Sequence, residues 1–250
     1  MPAPKEYRKF MKCDLWLEME NEPTDQQKKM PYPLLQKPYP QDATLINLVA
    51  PEDLTVGALS VREAIMRRQS RRKFTEEALT LEELSFLLWA TQGVRKIFRE
   101  YVALFRTVPS AGARHPFETY LVVNRVAGLA PGLYRYLSIE HKLCFLFADP
   151  TLPDQAAAAC HAQTFVAQSA VTFIWTAIPY RTEWRYSMMT PKLVNLDAGH
   201  VCQSLYLAAE SIGVGTCAIA AYDQKMLDAV LRVDGEDEFA IYVAPVGRIP

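Results

Sequence analysis

The stretch Val171-Thr-Phe-Ile-Trp-Thr-Ala-Ile178 decides the fold class of this 250-residue chain, because it is a nearly unbroken run of apolar and β-branched residues. A short run of this kind is typical of a strand that is buried on both faces. Such a strand belongs to a sheet that other elements cover on both sides. We therefore predict one α+β domain in which helices cover a mixed sheet.

Further helices and strands are predicted on both sides of this stretch. The sequences Ser60-x-x-Glu63 and Thr80-x-x-Glu83 have the form of capping boxes, which open helices. Helical periodicity predicts three more helices, over 154–166, 197–211 and 224–231. Strand-like composition predicts further strands over 117–123, 133–137, 143–147 and 239–246.

The first 55 residues differ from the rest of the chain. They contain eight of the 17 prolines. Proline removes backbone donors and biases the preceding residue away from helix. We predict an extended N-terminal arm over residues 1–55, which lies on a surface, and one domain over residues 56–250. Regular structure is expected to begin at Ser60.

Composition and charge exclude several classes of function. The formal net charge is −1, so no global electrostatic attraction to nucleic acid or to an anionic membrane is expected. The five cysteines include no C-x-x-C pair, and the histidines lack metal-ligand spacing, so no metal site is predicted. No apolar run approaches the length of about 20 residues that a membrane span needs. We expect a reduced, soluble, cytoplasmic protein.

A basic run at residues 67–73 carries five positive charges in seven positions. Arg68 and Arg72 are four residues apart, so a helix would place both on one face. Arginine forms bidentate bonds to phosphate oxygens, and the Ser70 hydroxyl adds a neutral bond. The run therefore predicts a phosphate site, and a solvated basic surface is the open alternative.

Two other segments bear on ligand binding. Pro109-Ser-Ala-Gly-Ala113 has small side chains just before a strand, which allow a flat ligand to approach the backbone, or form only a tight turn. Gly213-Val-Gly-Thr-Cys-Ala218 matches G-x-G-x-x-A, but a helix-like sequence precedes it. A dinucleotide fingerprint needs a strand there, so Gly213 is interpreted as a helix stop. No G-x-S-x-G elbow supports a hydrolase.

Five segments occur in one order: Arg68-x-Ser70-x-Arg72-x-Phe74, Leu87-Leu-Trp-Ala-Thr-Gln-Gly93, Pro109-Ser-Ala-Gly-Ala113, Leu196-Asp-Ala-Gly-His200 and Pro245-Val-Gly-Arg248. In this order and spacing the chain resembles the FMN-dependent nitroreductase family, and within it the SagB-type dehydrogenase branch. The resemblance runs from about residue 55 to residue 250. It implies a nitroreductase-like fold with a mixed, mainly antiparallel central sheet, and a homodimer with FMN at the subunit interface.

The resemblance also implies which residues bind FMN. Arg68 and Ser70 would bind the phosphate, Arg72 would reach the pyrimidine edge of the ring, and Arg248 would close the phosphate site. A loop of the partner subunit would pack on one side of the ring; it consists of Pro109, Ser110, Ala111 and Gly112. A second segment would lie on the opposite side; it consists of Ala218, Ile219, Ala220 and Ala221. Gln69 is the last implied cofactor-binding residue.

The chemistry implied by the resemblance is ping-pong hydride transfer, from NADH or NADPH through flavin N5 to a small electron-poor acceptor. The alternative is a dehydrogenase that oxidises a substrate such as an azoline and passes electrons to oxygen. Members with that activity carry a catalytic Lys-Tyr pair, and this chain has Arg185-Tyr186 there. Arginine stays protonated and is a poor base, so Tyr186 is the one candidate catalytic side chain.

Other possibilities stay open on the sequence alone. Relatives often have an apolar-aromatic pair where this chain has Arg114-His115, so substrate preference at that edge of the flavin loop is expected to differ. A non-catalytic module that binds flavin or phosphate is a second class of function. Nucleic-acid binding through residues 67–73 is a third class, and the near-zero net charge argues against it.

Overall fold

Antiparallel strands form the centre of the computed structural model, which describes residues 5–19, 22–99 and 102–250. The strands of the described residues are β1 (Leu45–Asn47), β2 (Val94–Phe98), β3 (Ala103–Arg106), β4 (Phe117–Val123), β5 (Gly132–Leu137), β6 (Lys142–Phe147), β7 (Val171–Ala177), β8 (Val214–Thr216) and β9 (Phe239–Arg248). Seven of them form one sheet in the order β1-β6-β5-β4-β7-β9-β8. Strands β2 and β3 form a separate hairpin, which the sequence did not predict.

Strand β7 lies inside the sheet between β4 and β9, and all seven of its residues are buried. Phe173 and Trp175 point into one core, whereas Ile174 points into the core on the opposite face. This alternation is what the two-residue period of a strand dictates. The prediction of a strand buried on both faces is confirmed.

Helices cover both faces of the sheet. The helices of the described residues are α1 (Leu15–Glu18), α2 (Val61–Arg67), α3 (Leu81–Gln92), α4 (Leu152–Ala159), α5 (Tyr180–Tyr186), α6 (Thr190–Ser211) and α7 (Gln224–Leu231). α3 and α6 bury their apolar residues in one core, and α4 and α7 bury theirs in the other. The predicted α+β class with a mainly antiparallel sheet is confirmed. No helix among the described residues is long and apolar enough to cross a membrane.

Both predicted capping boxes begin helices. Ser60 accepts a hydrogen bond from the Glu63 N–H at the start of α2, and Thr80 and Glu83 form the full reciprocal box at the start of α3. The predicted helix over 154–166 is wrong in its second half, because α4 ends at Ala159. His161 and Ala162 adopt left-handed φ angles of 55° and 57°, which no α-helix continues through.

Helix α6 begins seven residues before the predicted start at residue 197. Its first turn contains Pro191, whose fixed φ suits that position because the first-turn N–H groups have no helical acceptor. Gly213 has φ +71° just beyond the helix and β8 follows it, as expected for a helix stop. The interpretation of Gly213 as a helix stop is therefore confirmed.

The basic run does not form the helix that its spacing suggested. α2 ends at Arg67, and Ser70 forms a parallel bridge to Thr216 of β8. The Arg71 N–H donates to the Thr216 carbonyl at 2.9 Å. Pairing with the sheet edge therefore overrides the helical spacing, and neighbouring side chains of the run point to opposite sides.

The N-terminal segment lies against the rest of the chain. Strand β1 pairs with β6 at the edge of the central sheet, and short helical turns occupy Lys5–Met11 and Leu15–Glu18. Regular structure thus begins well before Ser60, which corrects that expectation. The Met30 carbonyl accepts a hydrogen bond from the Trp184 indole at 3.1 Å. The domain boundary at residue 55 stays a prediction.

Candidate active site

Tyr206 of α6 joins two of the predicted cofactor-binding segments. Its hydroxyl lies 3.0 Å from the Ser70 Oγ and accepts a hydrogen bond from the Ala218 N–H at 2.8 Å. The Arg68 guanidinium lies over the Tyr206 ring, 5.4 Å from its centroid. Arg68, Ser70 and Ala218 are therefore brought together around one buried aromatic side chain, which the sequence analysis did not single out.

The extended backbone divides the basic run into two sides. Arg68 and Ser70 face Tyr206, whereas Arg71 and the Gln69 N–H contact Glu210. Within the described residues, Arg68 has no carboxylate oxygen within 4.0 Å, and exposed Arg72 has none either. Guanidinium groups without a carboxylate partner keep their donors for an anionic ligand.

The segment from Ala218 to Ala221 offers backbone donors at its C-terminal half. The N–H groups of Ala218 and Ile219 donate within the chain, to Tyr206 and to the Val243 carbonyl. In the described structure, the N–H groups of Ala220 and Ala221 have no acceptor, and both residues are exposed. The alanines leave those donors accessible to a flat ligand.

Arg248, which the sequence predicts to close the phosphate site, pairs with two carboxylates of the same chain in the described structure. Its guanidinium forms two hydrogen bonds with the Glu83 carboxylate, at 2.9 and 3.0 Å, and contacts Glu77 at 3.4 Å. The contacts thus tie the end of β9 to the first turn of α3. We therefore do not include Arg248 among the residues that we propose for phosphate binding.

The loop from Pro109 to Ala113 is held by the buried carboxylate of Asp197 on α6. Asp197 accepts a hydrogen bond from the Ser110 hydroxyl at 2.5 Å and one from the Ala111 N–H at 3.2 Å. Burial raises the pKa of the Asp197 carboxyl, while the hydrogen bonds from Ser110 and Ala111 act to lower it. Asp197 thus positions the loop, a role that sequence spacing alone does not reveal.

Gly112 is required where it stands, because its φ is +57° and its neighbour is a phenol. A Cβ on Gly112 would lie 2.5 Å from the Tyr186 hydroxyl oxygen. The absence of a side chain at Gly112 therefore admits the Tyr186 hydroxyl of the same chain. The Trp16 ring contacts the Tyr186 ring edge-on, with centroids 5.9 Å apart. The candidate catalytic side chain thus lies at the loop.

Asp197 and Tyr206 place the two halves of the site on opposite faces of α6. They are nine residues apart, which is about 2.5 helical turns and about 14 Å along the axis. Half a turn beyond two full turns points the side chains in opposite directions. Within one chain, the loop held by Asp197 and the cluster around Tyr206 therefore lie on opposite sides of α6.

The described residues contain no group of three His, Cys, Asp or Glu side chains that could hold a metal ion. The cysteines are free, and those at 144, 160, 202 and 217 are buried. The donors around Tyr206 are guanidinium, hydroxyl and backbone N–H groups, which suit an anionic organic ligand.

The fold and this site define a class: an α+β protein that gathers guanidinium, hydroxyl and backbone N–H donors around Tyr206 of α6. The model of the nitroreductase family matches residues 65–248, so the chain belongs to that family, and the resemblance is confirmed. It is accordingly a flavoprotein oxidoreductase.

Two relatives support the family assignment. A Methanocaldococcus jannaschii protein that carries the name nitroreductase is 32% identical over 193 residues, which are 77% of this chain and 93% of that protein. The trifolitoxin-processing protein TfxB of Rhizobium leguminosarum bv. trifolii is 30% identical over 149 residues. That alignment spans 58% of this chain and 40% of TfxB.

Solved structures share the fold. Nitroreductase structures from Ralstonia eutropha and Anabaena variabilis superpose with TM-scores of 0.68 and 0.69, at 24% and 23% identity. They cover 88% and 84% of this chain, which itself spans 99% of the first protein and only 42% of the second. A chain of the E. coli microcin synthetase complex covers 99% of this chain, which spans 95% of it, with a TM-score of 0.60 and 14% identity.

Proposed function

We propose that this chain is an FMN-dependent oxidoreductase that transfers a hydride from NADH or NADPH to a small electron-poor acceptor, with the two substrates using one site in turn. The observation that carries the proposal is the cluster around Tyr206, which brings the Arg68 guanidinium, the Ser70 hydroxyl and the segment beginning at Ala218 together. Membership of the nitroreductase family supports it.

The residues of the cluster fit FMN in type and in accessibility. Arg68 and Ser70 supply charged and neutral donors for a phosphate, and the N–H groups of Ala220 and Ala221 supply donors for the polar edge of a ring system. Exposed Arg72 supplies a positive charge, which would stabilise negative charge on the pyrimidine edge of the ring. When bound, FMN supplies the hydride-transfer chemistry between nicotinamide and acceptor.

The complete site requires two copies of the chain in this proposal. The loop from Pro109 to Gly112 and the Tyr206 cluster lie on opposite faces of α6, so one ligand about the size of a flavin does not contact both within one chain. A second copy would bring its loop to the cluster of the first. We therefore propose a homodimer that shares two FMN sites.

An anaerobic visible spectrum of the FMN-loaded protein tests the proposed function. We expect flavin absorption bands that bleach on addition of NADH or of NADPH, because hydride transfer reduces the ring. The donor that bleaches the bands identifies the reductant. Bands that persist with both donors would contradict the proposed reductant, and a protein that retains no FMN would contradict the proposed cofactor.

One observation favours the azoline-type dehydrogenase as a second candidate. The Tyr186 hydroxyl lies against Gly112, in the loop that would pack on the flavin, and a phenol beside the flavin would be in reach of a substrate proton. Similarity to TfxB, named as a trifolitoxin-processing protein, gives further support. Arg185 is a poor base, which weakens this candidate.

Replacement of Tyr186 by phenylalanine separates the two candidates. Under the reductase proposal, Tyr186→Phe leaves the rate of NAD(P)H oxidation largely unchanged, because hydride transfer needs no phenolic proton. The measurement is steady-state NAD(P)H oxidation with an artificial quinone acceptor. Tyr180→Phe is the matched control, since Tyr180 is an exposed residue of the same helix. A collapse of the rate in Tyr186→Phe alone would favour a catalytic phenol.

A further inference from the structure

A cavity of about 650 Å³ lies next to the loop that contains Gly112. Its walls come from the β2–β3 hairpin, the segment from Thr107 to His115, and the end of α5. Tyr32 of the N-terminal segment closes one side of it. This volume lies within the range of pockets that hold small organic molecules.

Four guanidinium groups line this cavity, those of Arg95, Arg106, Arg114 and Arg185. Among the residues that the structure describes, none of the four has a carboxylate oxygen within 4.0 Å, and no Asp or Glu lines the cavity. The surface that this part of the chain presents to a ligand is therefore strongly cationic.

Two of these arginines are almost completely buried, with 4% of Arg106 and 3% of Arg114 exposed. Arg106 contacts the Gln92 amide, and Arg114 donates to the Val102 carbonyl at 2.7 Å. The Nε atoms of both are buried without a hydrogen-bond partner in the described structure. A buried cation with no carboxylate oxygen within 4.0 Å is costly, even where a more distant one such as Glu118 acts on Arg106, and an anionic ligand offsets that cost.

The charges persist at neutral pH. Burial, and then the nearby Arg181, lower the pKa of Arg106 to about 10, which still leaves it charged at pH 7. Burial first, and the charge of Arg106 second, lower the pKa of His115 to about 2, so this imidazole is neutral at pH 7. The cavity thus presents permanent guanidinium charges rather than charges that switch with pH.

Aromatic side chains form the other walls. The rings of Tyr32 and Trp184 lie 4.9 Å apart, and the Arg114 guanidinium lies over the Trp184 ring at 5.4 Å. The rings of Phe98 and Phe105 lie 5.9 Å apart at an edge-on angle. Ring faces beside guanidinium groups suit a ligand that combines a flat ring with an oxyanion.

We propose that this cavity binds the acceptor of the reaction and selects flat aromatic or heteroaromatic molecules that carry a carboxylate. The inference that the bound molecule is the acceptor rests on the proposed oxidoreductase function. The inference that the cavity binds aromatic carboxylates rests only on the arginines and aromatic rings that line it.

Calorimetric titration of the full chain with benzoate and with benzamide tests the proposal, because the two probes share size and ring but differ in charge. We expect benzoate to bind at least about tenfold more tightly, as a charge-assisted bond allows. Arg95→Gln and Arg185→Gln should each weaken benzoate by about tenfold and leave benzamide unchanged. Both residues are exposed, so the variants should fold.

Arg232→Gln is the matched control, because it removes the same charge at the end of α7, where Arg232 contacts Phe147 and does not line the cavity. It should leave benzoate binding unchanged. Equal affinity for benzoate and benzamide, or benzoate affinity unaffected by both cavity variants, would overturn the proposal. A cavity that binds adenosine 2′,5′-bisphosphate but does not bind benzoate would also overturn the proposal, since that result would assign the arginines to the phosphates of the nicotinamide cofactor.

The titrations are run with and without bound FMN, so that the two proposals fail separately. A protein that bleaches with NAD(P)H but does not prefer benzoate would keep the proposed function and lose the cavity assignment. A protein that retains no FMN but prefers benzoate would lose the proposed function and keep the anion site. With FMN bound, 4-nitrobenzoate should show a lower KM than 4-nitrobenzamide, and Arg185→Gln should remove that difference.

Discussion

Replacement of Arg68 by alanine is expected to lower the affinity for FMN by about one to two orders of magnitude, the effect of losing one charge-assisted hydrogen bond. Arg68 is held over the Tyr206 ring and has no carboxylate partner among the described residues, so its donors stay available to a phosphate. The measurement is a fluorescence titration of the flavin-free protein with FMN.

Riboflavin makes this prediction specific to the phosphate. Riboflavin has the same ring but no phosphate, so Arg68→Ala should leave its affinity unchanged. The matched control is Arg67→Ala, because Arg67 is adjacent in sequence but pairs with Glu63 on α2. Equal losses for FMN and riboflavin would place Arg68 at the ring. An unchanged FMN affinity would remove Arg68 from the site.

The sequence predicts those elements whose signals are local. The capping box of Thr80 and Glu83 begins α3 where predicted, and the short helix Gln224–Leu231 has the predicted bounds. Side-chain caps and helical periodicity act within one or two turns, so these two helices depend little on distant segments. The strand β7 is also predictable from its local sequence, because its continuous apolar run is typical of a buried strand.

The sequence fails where distant segments decide the local structure. The spacing of Arg68 and Arg72 suits a helix, but pairing of Ser70 and Arg71 with Thr216 makes the run extended. No feature within residues 67–73 carries information about β8, more than 130 positions away. Tertiary hydrogen bonds therefore override a spacing that has little helix-forming strength of its own.

The site itself is only half predictable. Arg68, Ser70 and the small-residue loop are visible as motifs, whereas Tyr206 and Asp197 act through positions that only the folded helix α6 creates. A tyrosine within an amphipathic helix is usually a core residue, and its hydroxyl gains meaning only from the Ser70 and Ala218 groups beside it. The spacing of residues along the sequence does not indicate that the Tyr206 hydroxyl contacts Ser70 and Ala218.

Replacement of Glu118 by alanine should destabilise the protein by about 3–5 kcal/mol, the effect of breaking a buried ion pair from one side. The Glu118 carboxylate accepts hydrogen bonds from the Arg181 guanidinium at 2.5 Å and from the Lys37 N–H at 2.8 Å. Both charged side chains are at least 97% buried. Loss of the carboxylate would leave Arg181, and Arg106 near it, as buried cations. Urea denaturation measures the change in unfolding free energy.

The same substitution should loosen the N-terminal segment, because Arg181 also donates to the Leu34 carbonyl and Glu118 holds the Lys37 backbone. Limited proteolysis within residues 22–40 should therefore become faster than in the parent protein. Glu140→Ala is the matched control, since Glu140 contacts Gln36 and Tyr39 of the same segment from an exposed position, where water replaces a lost partner. Glu118→Gln, which keeps the acceptor oxygen but not the charge, should lie between them and separates loss of charge from loss of shape. If Glu118→Ala were no less stable than Glu140→Ala, the buried pair would not be what fixes this segment to the sheet.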